Sequence, residues 1–205
     1  MSNIPKEGVI KFKFNLKVTL PLKENLYLQL EKWRALLFKM NLIGEYPIEK
    51  VGYGNLSMRV ASTSDEFIIT GTQTGKHPHL NGSQYTRIIK CDLNKMTIDA
   101  LGPIAPSSET ITHYAIYSNC PHIKVVFHVH HKELWNYLLS NNFDKTPKDV
   151  DYGTHEMAEA AKECIGKKES GIFAMAGHDE GIISYGSTVE EAGKIILETL
   201  KKSRA

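Results

Sequence analysis

The chain is short of the features that mark several protein classes. It has three cysteines in 205 residues, Cys91, Cys120 and Cys164, far apart and without a C-x-x-C pair. An odd, scattered set excludes a disulfide framework and points to a reducing, cytoplasmic setting. No apolar run exceeds a few residues, so no membrane span is expected. Lys6, Glu7, Lys11 and Lys13 stand near the start with no apolar stretch among them, which argues against a secretory leader. Excess charge is also lacking. Lys plus Arg is 25, Asp plus Glu is 23, and the net charge of +2 gives no general drive toward nucleic acid or anionic membrane. There is no internal repeat, low-complexity tract, Walker A motif or G-x-G-x-x-G fingerprint. What remains is an ordinary globular composition, 41% hydrophobic and 23% charged, with nine histidines.

The pattern predicts one α/β domain over 1–205, with strands and helices mixed along the chain. Ile10 to Leu20 alternates apolar with polar and predicts a half-buried strand with a basic outer face. Leu26, Leu30, Trp33, Leu37 and Met40 predict one face of a helix that Gly44 can end. Short strands are expected at Leu56–Val60, Phe67–Thr70 and Arg87–Asp92. A helix then runs from Glu109 to about Asn119, followed by a buried strand at Val125–His130 and helices near 132–140 and 153–165. Ile172–Met175 and Ile182–Tyr185 form a strand pair around a Gly-His-Asp-Glu-Gly turn. Thr188-x-x-Glu191 is a capping box that opens the last helix.

The histidines matter by position. On a strand, residues i and i+2 share a face, so His128-x-His130 aims two imidazoles at one point while His131 turns away. Two polar residues on one face is the plain alternative, but the strand is otherwise apolar and would bury them at a cost. His178, in a glycine-flanked turn, is either a surface residue or the third member of a His₃ set, the pattern of a catalytic metal with an open position. Glu109 follows Ser107-Ser108 at a helix start, where it is either a cap-region carboxylate or a general base beside a metal. The turns Gly54-Asn55-Leu56-Ser57, Gly71–Gly75 and Ser107-Ser108 are small and hydroxyl-rich, and can cradle a phosphate on backbone N–H groups. His113 either orients Glu109 or packs. His77, His79, His122 and His155 read as surface residues, and the three cysteines as small buried hydrophobes.

In this order the motifs resemble the class II aldolase/adducin family, from about Val51 to Thr199. They are Gly54-Asn55-x-Ser57, Thr74-Gly75, Pro106-Ser107-Ser108-Glu109 with His113 and Tyr117, His128-x-His130, Gly153-Thr154-x-Glu156-Met157-Ala158, and Gly177-His178 with Gly181. The resemblance implies a three-layer α/β/α sandwich around a central, mainly antiparallel sheet. It implies zinc or another divalent metal on His128, His130 and His178, with Glu109 moving a proton. Asn55, Thr74, Gly75, Ser107 and Ser108 would hold a substrate phosphate. The activity implied is a metal-dependent lyase (aldolase) that cleaves or forms a C–C bond in a small phosphorylated sugar, or with dihydroxyacetone phosphate, through a metal-stabilised enediolate. A sugar-phosphate 4-epimerase, a methylthioribulose-phosphate dehydratase and a non-enzymatic adducin-like module are the alternatives. Family members are commonly homotetramers. This chain departs from the pattern in three places: the insertion Glu45–Lys50, Gly52 where a hydroxyl residue is usual, and His131–Trp135 in place of small residues. The acid that protonates a leaving group is open between Tyr137 and Tyr152.

Overall fold

The computed structural model describes residues 8–61 and 64–204, so Lys6 and Glu7 lie outside the described residues. The chain enters as β1 (Lys13–Val18), continues as α1 (Glu24–Lys39), and turns back through the short ribbon β2 (Gly44–Tyr46) and β3 (Val51–Tyr53). Four strands follow: β4 (Asn55–Arg59), β5 (Phe67–Thr70), β6 (Tyr85–Asp92) and β7 (Thr97–Gly102). Then come α2 (Thr110–Asn119), β8 (Val125–His130), α3 (Lys132–Ser140), β9 (Asp144–Lys145) and α4 (His155–Ile165). The hairpin β10 (Gly171–Ala174) and β11 (Gly181–Gly186) leads into α5 (Val189–Ser203).

Nine strands make one sheet in the order β1-β7-β6-β5-β4-β8-β11-β10-β9. The resemblance implied a mainly antiparallel sheet, and the observed sheet is mixed. Interior neighbours are antiparallel, whereas β1 runs parallel to β7 and β9 parallel to β10. The reason is connectivity. β1 arrives at β7 from far along the chain, and β9 returns to β10 through α4, so neither pair is joined by a hairpin.

Helices cover both faces. Ile111, Ala115 and Ile116 of α2 and Met157, Ala161 and Ile165 of α4 pack on Phe67, Ile69, Val126 and Ile183. Leu30 and Leu37 of α1, Leu134 and Leu138 of α3, and Ile196 and Leu200 of α5 pack on Leu56, Ile68, Phe127 and Val129. Strand β8 therefore has both faces buried and still alternates: Val125, Phe127 and Val129 belong to one core, Val126 to the other. His128 and His130 share the side of Val126, the side of α2 and α4.

Three expectations need correction. The strand predicted over Ile10–Leu20 lies at one edge of the sheet, where Phe14, Val18 and Leu20 are exposed while Phe12 is buried. Helix α1 ends at Met40, and Asn41 takes the left-handed conformation (φ 57°) before Gly44, which opens β2 instead. In the last helix Thr188 Oγ1 accepts from Glu191 N at 3.1 Å, but the Glu191 carboxylate reaches back to Ser187 N at 2.7 Å, one residue earlier than a capping box requires.

Candidate functional site

At the end of β8, register sets His128 opposite Ile183 and His130 opposite Gly181 of β11. The β10–β11 turn therefore hangs beside both imidazoles. Backbone bonds from His178 N to Met175 O (3.0 Å) and from Gly181 N to His178 O (2.9 Å) close that turn. A Cβ at Gly181 would fall 2.4 Å from His178 Cδ2, so the missing side chain lets the ring fold inward. The three ring centroids lie 4.8, 5.3 and 4.8 Å apart, and all three residues are nearly fully buried.

Hydrogen bonding sets the ring states. His128 Nδ1 lies 3.2 Å from Ile182 O, and a carbonyl only accepts, so Nδ1 holds the hydrogen and Nε2 presents its lone pair. His130 Nε2 is 3.0 Å from that Nε2, and His130 Nδ1 is 2.9 Å from the Tyr46 hydroxyl. Burial lowers His128 to about 4 and holds His130 and His178 well below the usual imidazole range. All three are neutral at pH 7, the form that binds metals. One nitrogen from each can reach a common ion, the ligand atoms lying within 4.8 Å of one another. Two neutral ring nitrogens at 3.0 Å share a single proton or a cation, so the donor set fits a divalent metal with an open position.

Glu109 occupies the N-cap of α2, yet its side chain makes no cap bond. It is 2% exposed, and among the described residues neither carboxylate oxygen has a partner at hydrogen-bond geometry, although the Thr112 hydroxyl is near. Burial pushes it up to about 7, opposed first by the nearby Thr112 hydroxyl and then by the Lys11 ammonium. A carboxylate so placed needs a proton or a cation nearby.

Asn55, Thr74, Gly75, Ser107 and Ser108 line one small cavity together with Glu109 and His128. The nine predicted site residues thus come from five separated stretches of chain and converge. Close approach explains the glycines: Gly54 has φ +77°, and a Cβ at Gly75 would sit 2.1 Å from Gly44 O. Thr74 Oγ1 donates to Gly71 O at 2.9 Å, and Ser107 Oγ accepts from Glu109 N at 3.3 Å. Beside the histidines opens a larger cleft of about 740 Å³, lined by Lys11, Tyr46, Asp151, Tyr152 and His178 among others.

Other assignments divide. Tyr152 is at the site, its ring 4.8 Å from that of His178 and its hydroxyl accepting from Val9 N at 3.0 Å. Lys11 Nζ sits 3.9 Å over the same ring and pairs with Asp151 at 2.5 Å. Tyr137 instead packs on Phe143 in the opposite layer. His113 does not orient Glu109; its Nδ1 is 2.6 Å from Ser57 Oγ, which is 2.7 Å from Tyr117 Oη. His131 turns away, as expected, and caps α3 by accepting from Leu134 N at 3.1 Å. His77 and His155 are half-buried and not fully surface residues, the latter with Nδ1 3.2 Å from Leu93 O. His79 and His122 are exposed. The cysteines are free and buried, and burial pushes Cys91 and Cys164 up to about 12, far from a reactive thiolate. Sequence reasoning missed Tyr46, which lies in the segment read as an insertion, and Arg34 behind the Thr74–Gly75 turn.

Residues 39–202 match the family model described as Class II Aldolase and Adducin N-terminal domain. Among solved structures, a sugar-phosphate aldolase from Thermotoga maritima is similar at TM-score 0.69 and 15% identity, over 88% of this chain and 93% of that one. An L-fuculose-1-phosphate aldolase from Thermus thermophilus aligns at TM-score 0.66 and 18% identity, over 89% and 92%. YgbL of Klebsiella pneumoniae, named as a candidate aldolase/epimerase/decarboxylase, gives TM-score 0.67 and 18% identity over 88% and 87%. At such identities the structural likeness speaks to the fold alone. No curated protein matches the chain. Among the described residues no helix is long and apolar enough to cross a membrane.

Proposed function

The chain belongs to the class II aldolase and adducin N-terminal domain family, and from there we propose that it is a metal-dependent lyase acting on a small phosphorylated sugar. One observation carries this reading. Three neutral, buried imidazoles meet at a point whose neighbouring cavity holds a buried carboxylate without hydrogen-bond partners. His128, His130 and His178 would hold a divalent cation such as zinc, which when bound supplies positive charge against the negative charge that develops on substrate oxygens.

The rest is the work of this chain's own groups. Glu109, raised toward neutrality by burial, is poised to take a proton from carbon beside a carbonyl and to return it. Asn55, Thr74, Gly75, Ser107 and Ser108 would grip the phosphate and so fix the reacting carbon relative to Glu109. Tyr46 holds the His130 ring through Nδ1 and selects which nitrogen faces inward. Tyr152, its ring tilted against His178 beside the cleft, would supply the hydroxyl for a leaving group, whereas Tyr137 is remote. Three free, buried cysteines suit a cytoplasmic protein.

The test couples metal content to turnover. Dialysed protein is expected to contain about one divalent ion per chain, lost in His128→Ala. Wild type is then assayed against ketose and aldose phosphates for C–C cleavage, C4 epimerisation and dehydration. Cleavage that depends on the metal supports the lyase. Epimerisation or dehydration would reassign the reaction on the same site, and a metal-free, inactive protein would move the reading to an adducin-like binding module.

A further inference from the structure

A phosphate dianion needs positive charge as well as hydrogen-bond donors, yet among the described residues no lysine or arginine lines the small cavity. Lys11 and Lys148 line the neighbouring cleft instead. Behind the Thr74–Gly75 turn, however, lies Arg34 of α1, only 1% exposed. Its Nη2 donates to Thr74 O at 3.1 Å and stands 3.4 Å from Gly75 O. Its Nη1 is buried without a partner. Among the described residues no carboxylate pairs with it. Glu31, one turn earlier, is occupied by Leu80 N at 3.0 Å and the Tyr85 hydroxyl at 2.7 Å. The guanidinium carbon lies 5.5 Å from the Phe38 ring centre, and Glu31 acts on it through space without a direct ion pair. A buried guanidinium whose hydrogen bonds go to peptide carbonyls is costly, and an apolar side chain of similar length would fill the space without that cost.

Peptide geometry gives the charge a use. In a trans peptide the N–H points opposite the C=O. With the Thr74 carbonyl drawn to Arg34, the Gly75 N–H turns the other way. Gly75 N indeed faces Gly52, lying 3.1 Å from where a Cβ on that residue would be, and both glycines line the cavity. Gly52, where a hydroxyl residue was expected, therefore leaves room for a backbone donor. We propose that Arg34 is the counter-charge of the cavity: a positioning residue that acts through the Thr74–Gly75 peptide, aims the Gly75 N–H outward and supplies positive charge to a substrate phosphate. The inference rests on the reading that this cavity takes a phosphorylated substrate.

The experiment titrates inorganic phosphate into metal-containing protein by calorimetry. It compares wild type, Arg34→Met, Arg34→Lys and Lys11→Ala, with metal content measured for each. Wild type is expected to bind phosphate, and Arg34→Met to bind it at least ~10-fold more weakly with metal content unchanged. Arg34→Lys, which keeps the charge and loses the fork, is expected to fall between them. With a phosphorylated substrate, Arg34→Met should raise KM more than it lowers kcat. A purely structural Arg34 would lower the melting temperature in both Arg34 variants without separating them in phosphate affinity. Equal affinity in wild type and Arg34→Met, or a loss found in Lys11→Ala instead, would overturn the proposal. So would wild-type protein that keeps its metal but binds no phosphate, an outcome that leaves the metal-dependent reaction to stand on its own assay. If Arg34→Met does not fold, the comparison of wild type with Arg34→Lys decides, since an unchanged affinity there removes the role of the fork.

Discussion

The two halves of the site are built in opposite ways. The histidine cluster uses side chains on one strand and one tight hairpin turn, each locked by backbone register. The adjoining cavity uses hydroxyls and peptide groups from three separate turns, with its charge held one peptide behind. A strand fixes direction for every second residue, so a few side chains suffice. Turns fix direction only through close packing, so glycines and a buried arginine have to impose it. The first half concentrates its effect in single atoms. The second spreads it over many weak donors.

Glu109 stands where the halves meet, and its substitution should have the largest effect short of removing the metal. Glu109→Gln is expected to retain metal and fold while turnover falls by ~10²–10⁴. Unchanged turnover would remove Glu109 from the chemistry. The same variant has a pH signature. Burial raises the folded carboxyl from 4.5 to about 7, so the folded state favours the protonated form. Below 4.5 wild type carries no penalty; between about 4.5 and 7 it loses stability as the group ionises; above 7 the loss is complete. For chelator-treated protein, Glu109→Gln should therefore be more stable than wild type at pH 8, by up to about 3 kcal/mol, and equal to it at pH 4. Denaturant titrations at the two pH values check the sign.

The contrast also explains what could be read from the sequence. In Val125–His130 the period of two survives burial on both faces, so the pairing of His128 with His130 was legible. The Gly-His-Asp-Glu-Gly turn was legible because its glycines announce a sharp reversal. The cavity was legible only in outline: its turns stand out as small and hydroxyl-rich, but backbone N–H groups carry no residue signature, and the family resemblance was needed to join them into one phosphate site. Tyr46 escaped because β2 and β3 are three residues each, too short for any period to show. Arg34 escaped because an arginine beside a leucine stripe reads as solvent-facing, whereas α1 buries Tyr27, Leu30, Glu31, Arg34 and Leu37. The exposure of β1 escaped because alternation cannot say whether a strand lies at an edge.

Tyr46→Phe tests how far the histidine half depends on its supports. The ring packs tilted against Tyr53, centroids 4.7 Å apart, so the phenyl should stay while the bond to His130 Nδ1 is lost. Metal affinity should fall ~10–100-fold, measured by competition with a chelator of known affinity. An unchanged affinity would mean that strand register alone orients His130.

Ser108→Ala should give the smallest effect, and its size tests the comparison itself. Ser108 is 8% exposed and lines the cavity with four other proposed phosphate partners. A single neutral hydrogen bond contributes about 1 kcal/mol, so KM for a phosphorylated substrate should rise ~5-fold while kcat and metal content stay near wild type. Such a split identifies a group that binds equally in ground and transition states. If kcat instead falls as far as in Glu109→Gln, the hydroxyl acts on the reacting atoms or on Glu109, the next residue along the same turn. The division between a concentrated chemical half and a distributed binding half would then run through Ser107-Ser108, with Ser108 on the chemical side.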